Sequence, residues 1–186
     1  MEVYHQRYEH ERERKLVYPI LLDGGLTARR LTEAWREAER YFEEPRGGPL
    51  ALVLVLNSEG GDTVATREFM KRFMESDCTL SAKIYRAESA AAFIALSTAH
   101  REIVRDGVFR IHLGGRYIES NMLVTPKRVS DPIVEEAERW RTDVLALLEQ
   151  CGFPKEGEPW TRLLAHNELA LTPARCAELG LVHKII

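Results

Sequence analysis

The sequence lacks most of the features that announce a special environment or cofactor. Its 186 residues hold three cysteines, Cys78, Cys151 and Cys176, an odd number with no CxxC spacing. That argues against a disulfide framework or a thiolate zinc site and for reduced, mostly buried thiols. No apolar run approaches the ~20 residues that cross a bilayer. The opening Met1–Arg7 stretch has no apolar core of a secretory leader, so the cytosol is the expected compartment. Positive charge is not in excess: 26 Lys and Arg stand against 29 Asp and Glu, a net charge of −3. A broad basic surface for nucleic acid is thereby excluded. Internal repeats and low-complexity stretches are missing, and no glycine spacing matches a phosphate loop or a dinucleotide fingerprint.

What is present is an ordinary globular composition, 45% hydrophobic and 30% charged, in a length that suits one domain. Residues 1–15 form a polar, charge-mixed segment that reads as a solvated helix or frayed start, and 16–186 read as the folded domain. Leu16–Leu22 is a short apolar strand whose Pro19 suits a sheet edge. Residues 27–43 carry Leu31, Ala34, Trp35, Ala38, Tyr41 and Phe42 at helical spacing. Leu50–Leu56 is a continuous apolar run, expected to be a buried parallel strand. A helix bearing Phe69, Met70 and Phe73 comes next, then a strand over about Thr79–Tyr85. Ser89–Ala99 is small and apolar all round, the mark of a buried helix. Strand-like pieces come near Glu102–Val104 and Val108–His112, then a long weakly periodic segment at 113–131. Asp131-Pro132 is a helix start, and Ile133, Ala137, Trp140, Val144 and Leu147 form a narrow seam fit to meet another helix. Thr172-Pro173 opens a short helix that Gly180 stops, and Leu181–Ile186 reads as a last strand. Strand and helix alternate about four times, so the class is α/β.

Three places invite chemistry. Gly60-Gly61 lies between a buried strand and a helix, where glycine lets the backbone approach a ligand and turn its N–H groups outward; a plain tight turn is the simpler reading. Ser89 opens the buried helix, where serine is ordinarily an N-cap. A nucleophile needs that same place, an exposed hydroxyl beside N–H groups that can hold an oxyanion. His112 ends a strand and is the candidate general base, which must come within hydrogen-bond reach of Ser89.

These residues together resemble a family. Leu56-Asn57-Ser58-Glu59-Gly60-Gly61 resembles the INSPGG segment of the Clp protease proteolytic subunit. Ala87-Glu88-Ser89-Ala90-Ala91-Ala92-Phe93 resembles its nucleophile segment, and Phe109-Arg110-Ile111-His112-Leu113-Gly114-Gly115 its histidine segment. Leu171-Thr172-Pro173 through Leu181-Val182 resembles its closing LSAxEAxEYGLVD. The resemblance, from Leu16 to the end, implies a ClpP/crotonase-like repeated β-β-α spiral with a protruding handle over about 116–152. It implies Ser89 as nucleophile, His112 as general base, and the backbone N–H groups of Gly61 and Ala90 as oxyanion donors. The family's catalytic aspartate falls on Glu168, one methylene longer, with Asn167 as a fallback orienter. Glu59 replaces a proline, Tyr85 a glycine, and Glu88 precedes the serine, where its charge would oppose an oxyanion and raise the pKa of a facing His112. Two residues are missing between the histidine and Gly114-Gly115. Only 15 residues precede the first strand, which implies absent or altered axial loops for an ATPase.

The expected function is therefore a Clp-type serine peptidase subunit acting on peptides or unfolded proteins in a homo-oligomeric ring. An ATPase unfoldase is the implied partner, and no metal, cofactor, nucleic acid or membrane is implied. The alternatives are a catalytically inactive Clp-like structural subunit and a crotonase-type acyl-CoA enzyme, a group usually longer. A signal-peptide-peptidase relative would use a Ser–Lys dyad, with Lys83 nearest in sequence.

Overall fold

Burial alternates along β2 (Leu50–Ser58): Leu50, Leu52, Leu54, Leu56 and Ser58 are buried, whereas Ala51, Val53 and Val55 are half-buried. That period of two is the side-chain alternation of a strand. The computed structural model describes residues 17–43, 50–114 and 131–186. The polar segment 1–15 and nearly all of 113–131 lie outside them. β1 (Val17–Asp23) and β3 (Cys78–Glu88) flank β2 in parallel, and β4 (His100–His112) continues the sheet beside β3. β5 (Glu168–Leu171) closes the order β1-β2-β3-β4-β5 and runs antiparallel to β4, while β6 (Lys184–Ile185) pairs with β4 nearer its start. Pro19 sits in β1 at the sheet edge, where a missing N–H costs no ladder bond.

Two expectations change along β3 and β4. The strand expected over Thr79–Tyr85 runs on to Glu88, and the two pieces expected after it are one strand. The reason is a bulge. Ile84 pairs with Ile103 and Arg86 with Val108, so β4 advances five residues while β3 advances two. The extra backbone folds tightly at Gly107, where a Cβ would lie 2.6 Å from Ile103 Cγ1. A bulge bends its strand and re-aims the residues beyond it, and here the stretch Val108–His112 is turned to run beside Glu88 and Ser89.

The helices are α1 (Ala28–Glu43), α2 (Thr63–Met74), α3 (Ala90–Leu96), α4 (Asp131–Gln150), α5 (Glu158–His166) and α6 (Pro173–Glu178). Every residue of α3 is buried, and the helix touches β2, β3, β4, α2 and α4. Phe93, Ile94 and Leu96 each stabilise the core by about 1.5–3 kcal/mol through that burial. On α4 the buried stripe is Trp140, Val144 and Leu148, with Trp140 against Phe93 at 4.8 Å between centroids. The expected seam meets another helix at Trp140, which packs on α3, and Val144 is buried with it; Leu148 extends the buried row as i, i+4, i+8 positions of one helix face, while Leu147 is half-buried against the core. The side chain of Ile133 falls outside the described residues.

Helix α5 and strand β5 have no counterpart in the sequence reading. Gly157 at φ 86° and Pro159 in the first turn start α5, and Asn167 in the left-handed region at φ 54° ends it and turns the chain into β5. The last strand shrinks from 181–186 to Lys184–Ile185. Among the described residues no helix is long and apolar enough to cross a membrane.

Candidate active site

Three strand ends meet at one edge of the sheet. At the end of β2, Ser58 is fully buried; its hydroxyl donates to Gly24 O at 2.5 Å and accepts the Gly60 N–H at 3.0 Å. Gly60, at φ 92°, lies directly on the next turn of the fold. A Cβ there would fall 2.6 Å from Glu88 O, 2.9 Å from Ala90 N and 2.9 Å from Ser89 Cβ. Only glycine satisfies both the backbone angle and the contact. Gly61 bridges to Leu26: Leu26 N–H donates to Gly60 O and Asp62 N–H to Leu26 O, both at 2.8 Å. Those bonds leave the Gly61 N–H out of the ladder. Gly60-Gly61 is therefore more than a tight turn, because it is pressed against the Ser89 turn.

Ser89 joins β3 to α3 at φ 52° and ψ −116°. Positive φ in a non-glycine residue is strained, and Ser89 and Asn167 are the two such residues among those described. The ordinary reading of Ser89 as an N-cap fails on geometry: it occupies the cap position but its side chain makes no capping hydrogen bond. Its backbone is fixed instead by its N–H donating to Arg110 O at 2.9 Å and by its carbonyl accepting from Phe93 N–H at 3.1 Å. Ala90 is the first helical residue, whose N–H has no acceptor within its own helix.

Because Ser89 bonds Arg110, it lies beside β4 two residues before His112. His112 ends β4 opposite Glu168 of β5 in antiparallel register, so both side chains project from one face of the sheet. The His112 ring has its Nε2 buried, and its carbonyl accepts from Trp140 Nε1 at 3.0 Å. Register thus sets Ser89, His112 and Glu168 at the same end of neighbouring elements of the sheet, with no hydrogen bond between His112 Nε2 and the Ser89 hydroxyl. Asn167 is directed elsewhere: its side-chain oxygen accepts from Arg141 Nη1 at 2.7 Å. Lys83 lies mid-strand opposite Val55 with its ammonium 5.5 Å from the Tyr85 ring, six residues and about 20 Å of extended chain from Ser89.

Arg110 is the residue that sequence reasoning passed over. Its Nε lies 3.1 Å from Glu88 Oε2 and its Nη1 3.4 Å from Glu168 Oε1, and Arg86 pairs with the other Glu88 oxygen. Glu88 is nearly buried, and two guanidiniums offset its charge, so it does not face the serine turn as a bare anion. The signal available was alternation: Arg86, Glu88, Arg110 and His112 recur every second residue on two adjacent strands.

No thiol competes as a nucleophile at this corner. Burial pushes the Cys176 thiol up to about 12 and raises those of Cys78 and Cys151 as well, which keeps them protonated at neutral pH. Among the described residues no group of three or more His, Cys, Asp or Glu side chains is placed to hold a metal ion.

No protein-family model matches this chain, and no curated protein matches it in sequence. A ClpP1 variant from Listeria monocytogenes is similar in solved structure, with a TM-score of 0.63 and 17% identity over 90% of each chain. At that identity the likeness is one of fold: the chain has a mixed α/β fold of the ClpP kind, and the fold is what suggests the ClpP family.

Proposed function

We propose that the protein is a serine peptidase subunit of the Clp type. The observation that carries this is Ser89: a strained serine at a strand–helix turn, its hydroxyl unused as a cap, pressed against Gly60 and tied to β4 just before His112. Strain held at a turn that gains no cap from it is characteristic of functional sites. In this reading Ser89 Oγ attacks the carbonyl carbon of a peptide bond as His112 takes its proton. The Gly61 and Ala90 N–H groups stabilise the tetrahedral oxyanion, and His112 passes the proton to the leaving amine. Water activated by His112 then releases the acyl group from Ser89. Glu168, across the ladder from His112, orients the ring. Substrates are peptides or unfolded proteins, and the working unit is a homo-oligomeric ring in the cytosol served by an ATPase unfoldase. Self-association is supported by the second face of the sheet, where Leu21 is 64% exposed and Val53 and Val55 are only half-buried, unlike most parallel sheets, which are covered on both faces.

Incubation with a fluorophosphonate probe tests the reading. Labelling at Ser89, lost in Ser89→Ala and sharply slowed in His112→Ala, is the expected result; no labelling of a folded, assembled protein overturns it. The Arg110–Glu168 pair favours one second reading, a structural subunit without turnover, because it holds part of the Glu168 carboxylate away from histidine chemistry.

A further inference from the structure

One residue touches three parts of the candidate site. Arg110 and His112 stand two residues apart on the same face of β4, roughly 7 Å along the strand, opposite Ala170 and Glu168 of β5. The Arg110 carbonyl accepts the Ser89 N–H at 2.9 Å. Its guanidinium forks: Nε lies 3.1 Å from Glu88 Oε2, and Nη1 lies 3.4 Å from Glu168 Oε1. Glu88 directly precedes Ser89 and is only 8% exposed.

Each contact answers a requirement of the chemistry. A carboxylate next to a serine nucleophile disfavours an oxyanion, and burial strengthens that repulsion. Arg86 takes one Glu88 oxygen and Arg110 the other. A glutamate has three side-chain torsions to fix before it can orient a ring. Its two oxygens let one rest on a guanidinium while the other serves an imidazole. A lysine in place of Arg110 would bring the charge without the fork that spans both carboxylates. The remaining charged groups near His112, among the described residues, lie on the two helices beside β5. Arg141 of α4 donates to Asn167 Oδ1 at 2.7 Å, and Arg162 and His166 of α5 line a small cavity with Glu168.

We propose that Arg110 is a positioning residue of the peptidase site, fixing Glu168 beside His112 and offsetting the charge of Glu88 beside the oxyanion. The proposal rests on the peptidase reading above. The rate of Ser89 modification by a small fluorophosphonate, read by mass spectrometry between about pH 5.5 and about pH 9, tests it. The pH of half-maximal rate reports protonation of the general base. Arg110→Met is expected to slow the plateau rate about tenfold and, by removing a cation, to raise that pH by about half a unit. Glu88→Gln removes an anion and is expected to lower it by about as much. Arg110→Lys is expected to restore the wild-type midpoint but only part of the rate. His166 titrates alike in every variant, so only differences from the wild type are read.

A merely structural role for Arg110 would slow the variants without moving their midpoints in opposite directions. Wild-type rate and midpoint in Arg110→Met, or midpoints that shift the same way in Arg110→Met and Glu88→Gln, overturn the proposal and leave the peptidase reading standing. Circular dichroism checks folding. If Arg110→Met does not fold, Glu88→Gln decides, and an unmoved or raised midpoint there overturns the proposal. Failure of the probe to modify Ser89 in the wild type overturns both readings.

Discussion

Two strand–helix turns sit side by side at the same sheet edge and are built in opposite ways. After β2, the chain turns through two positive-φ glycines, and the next helix is capped: Asp62 accepts the Ala65 N–H at 2.9 Å. After β3, a serine is forced to φ 52° and caps nothing. The first turn relieves strain with glycine and adds a cap. The second accepts strain and forgoes the cap, though serine is among the best capping residues. Local stability explains the first arrangement and cannot explain the second. What the second achieves is a fixed hydroxyl free of the helix it opens.

The sharpest way to break that contrast is chemical. Ser89→Ala is expected to lower peptide cleavage by about 10³-fold or more while leaving the melting temperature unchanged, because the hydroxyl carries no cap bond. A melting temperature that drops by several degrees would instead place Ser89 in a structural role. Next in size is Gly60→Ala. Its Cβ would meet backbone at 2.6 Å and require a forbidden angle, so urea unfolding should report a loss of about 2–4 kcal/mol. Gly25→Ala is the control, since its Cβ would meet nothing closer than a Glu59 carboxylate oxygen at 3.6 Å.

Smaller effects separate the two caps. Asp62→Ala should cost about 1 kcal/mol of stability, whereas Ser89→Gly should gain about 1 kcal/mol by relieving positive φ; equal signs for the two would erase the distinction. Smallest is a pH effect remote from both turns. His183 Nδ1 accepts the Arg101 N–H at 3.0 Å and its ring stacks on His100 at 4.8 Å. Burial, then the Arg101 and His100 charges, hold its pKa below the ordinary 6.5. As pH falls below 6.5 the unfolded chain takes its proton first, so stability declines through the lowered folded value and is fully present above 6.5. His183→Asn should flatten the melting temperature between pH 7 and 5 while fluorophosphonate labelling at pH 7 is unaffected.

Legibility followed range. The strands β1 and β2, the helices α1, α2, α3, α4 and α6 and the edge proline were readable because their signals are local: apolar runs, helical spacing, Thr172 and Asp131-Pro132 starts. Helix α5 and strand β5 were not, being short segments ordered by a left-handed Asn167 and by pairing with β4. At the candidate site the residue types Ser89, His112 and Gly60-Gly61 were legible from motif order. Arg110 was not, because its role comes from a cross-strand neighbour, Glu88, and from Glu168 some sixty residues away.

By itself the amino-acid sequence determined the α/β class, the buried helix after Ser89 and the set of residues with chemical potential, since periodicity and residue type act over a few neighbours. Only the tertiary structure decided that Gly60 presses on Ser89, that the β4 bulge carries His112 alongside, and that two arginines offset Glu88. Those facts depend on register between strands. A bulge that sets five residues against two moves every partner beyond it, and no local pattern encodes where that shift occurs.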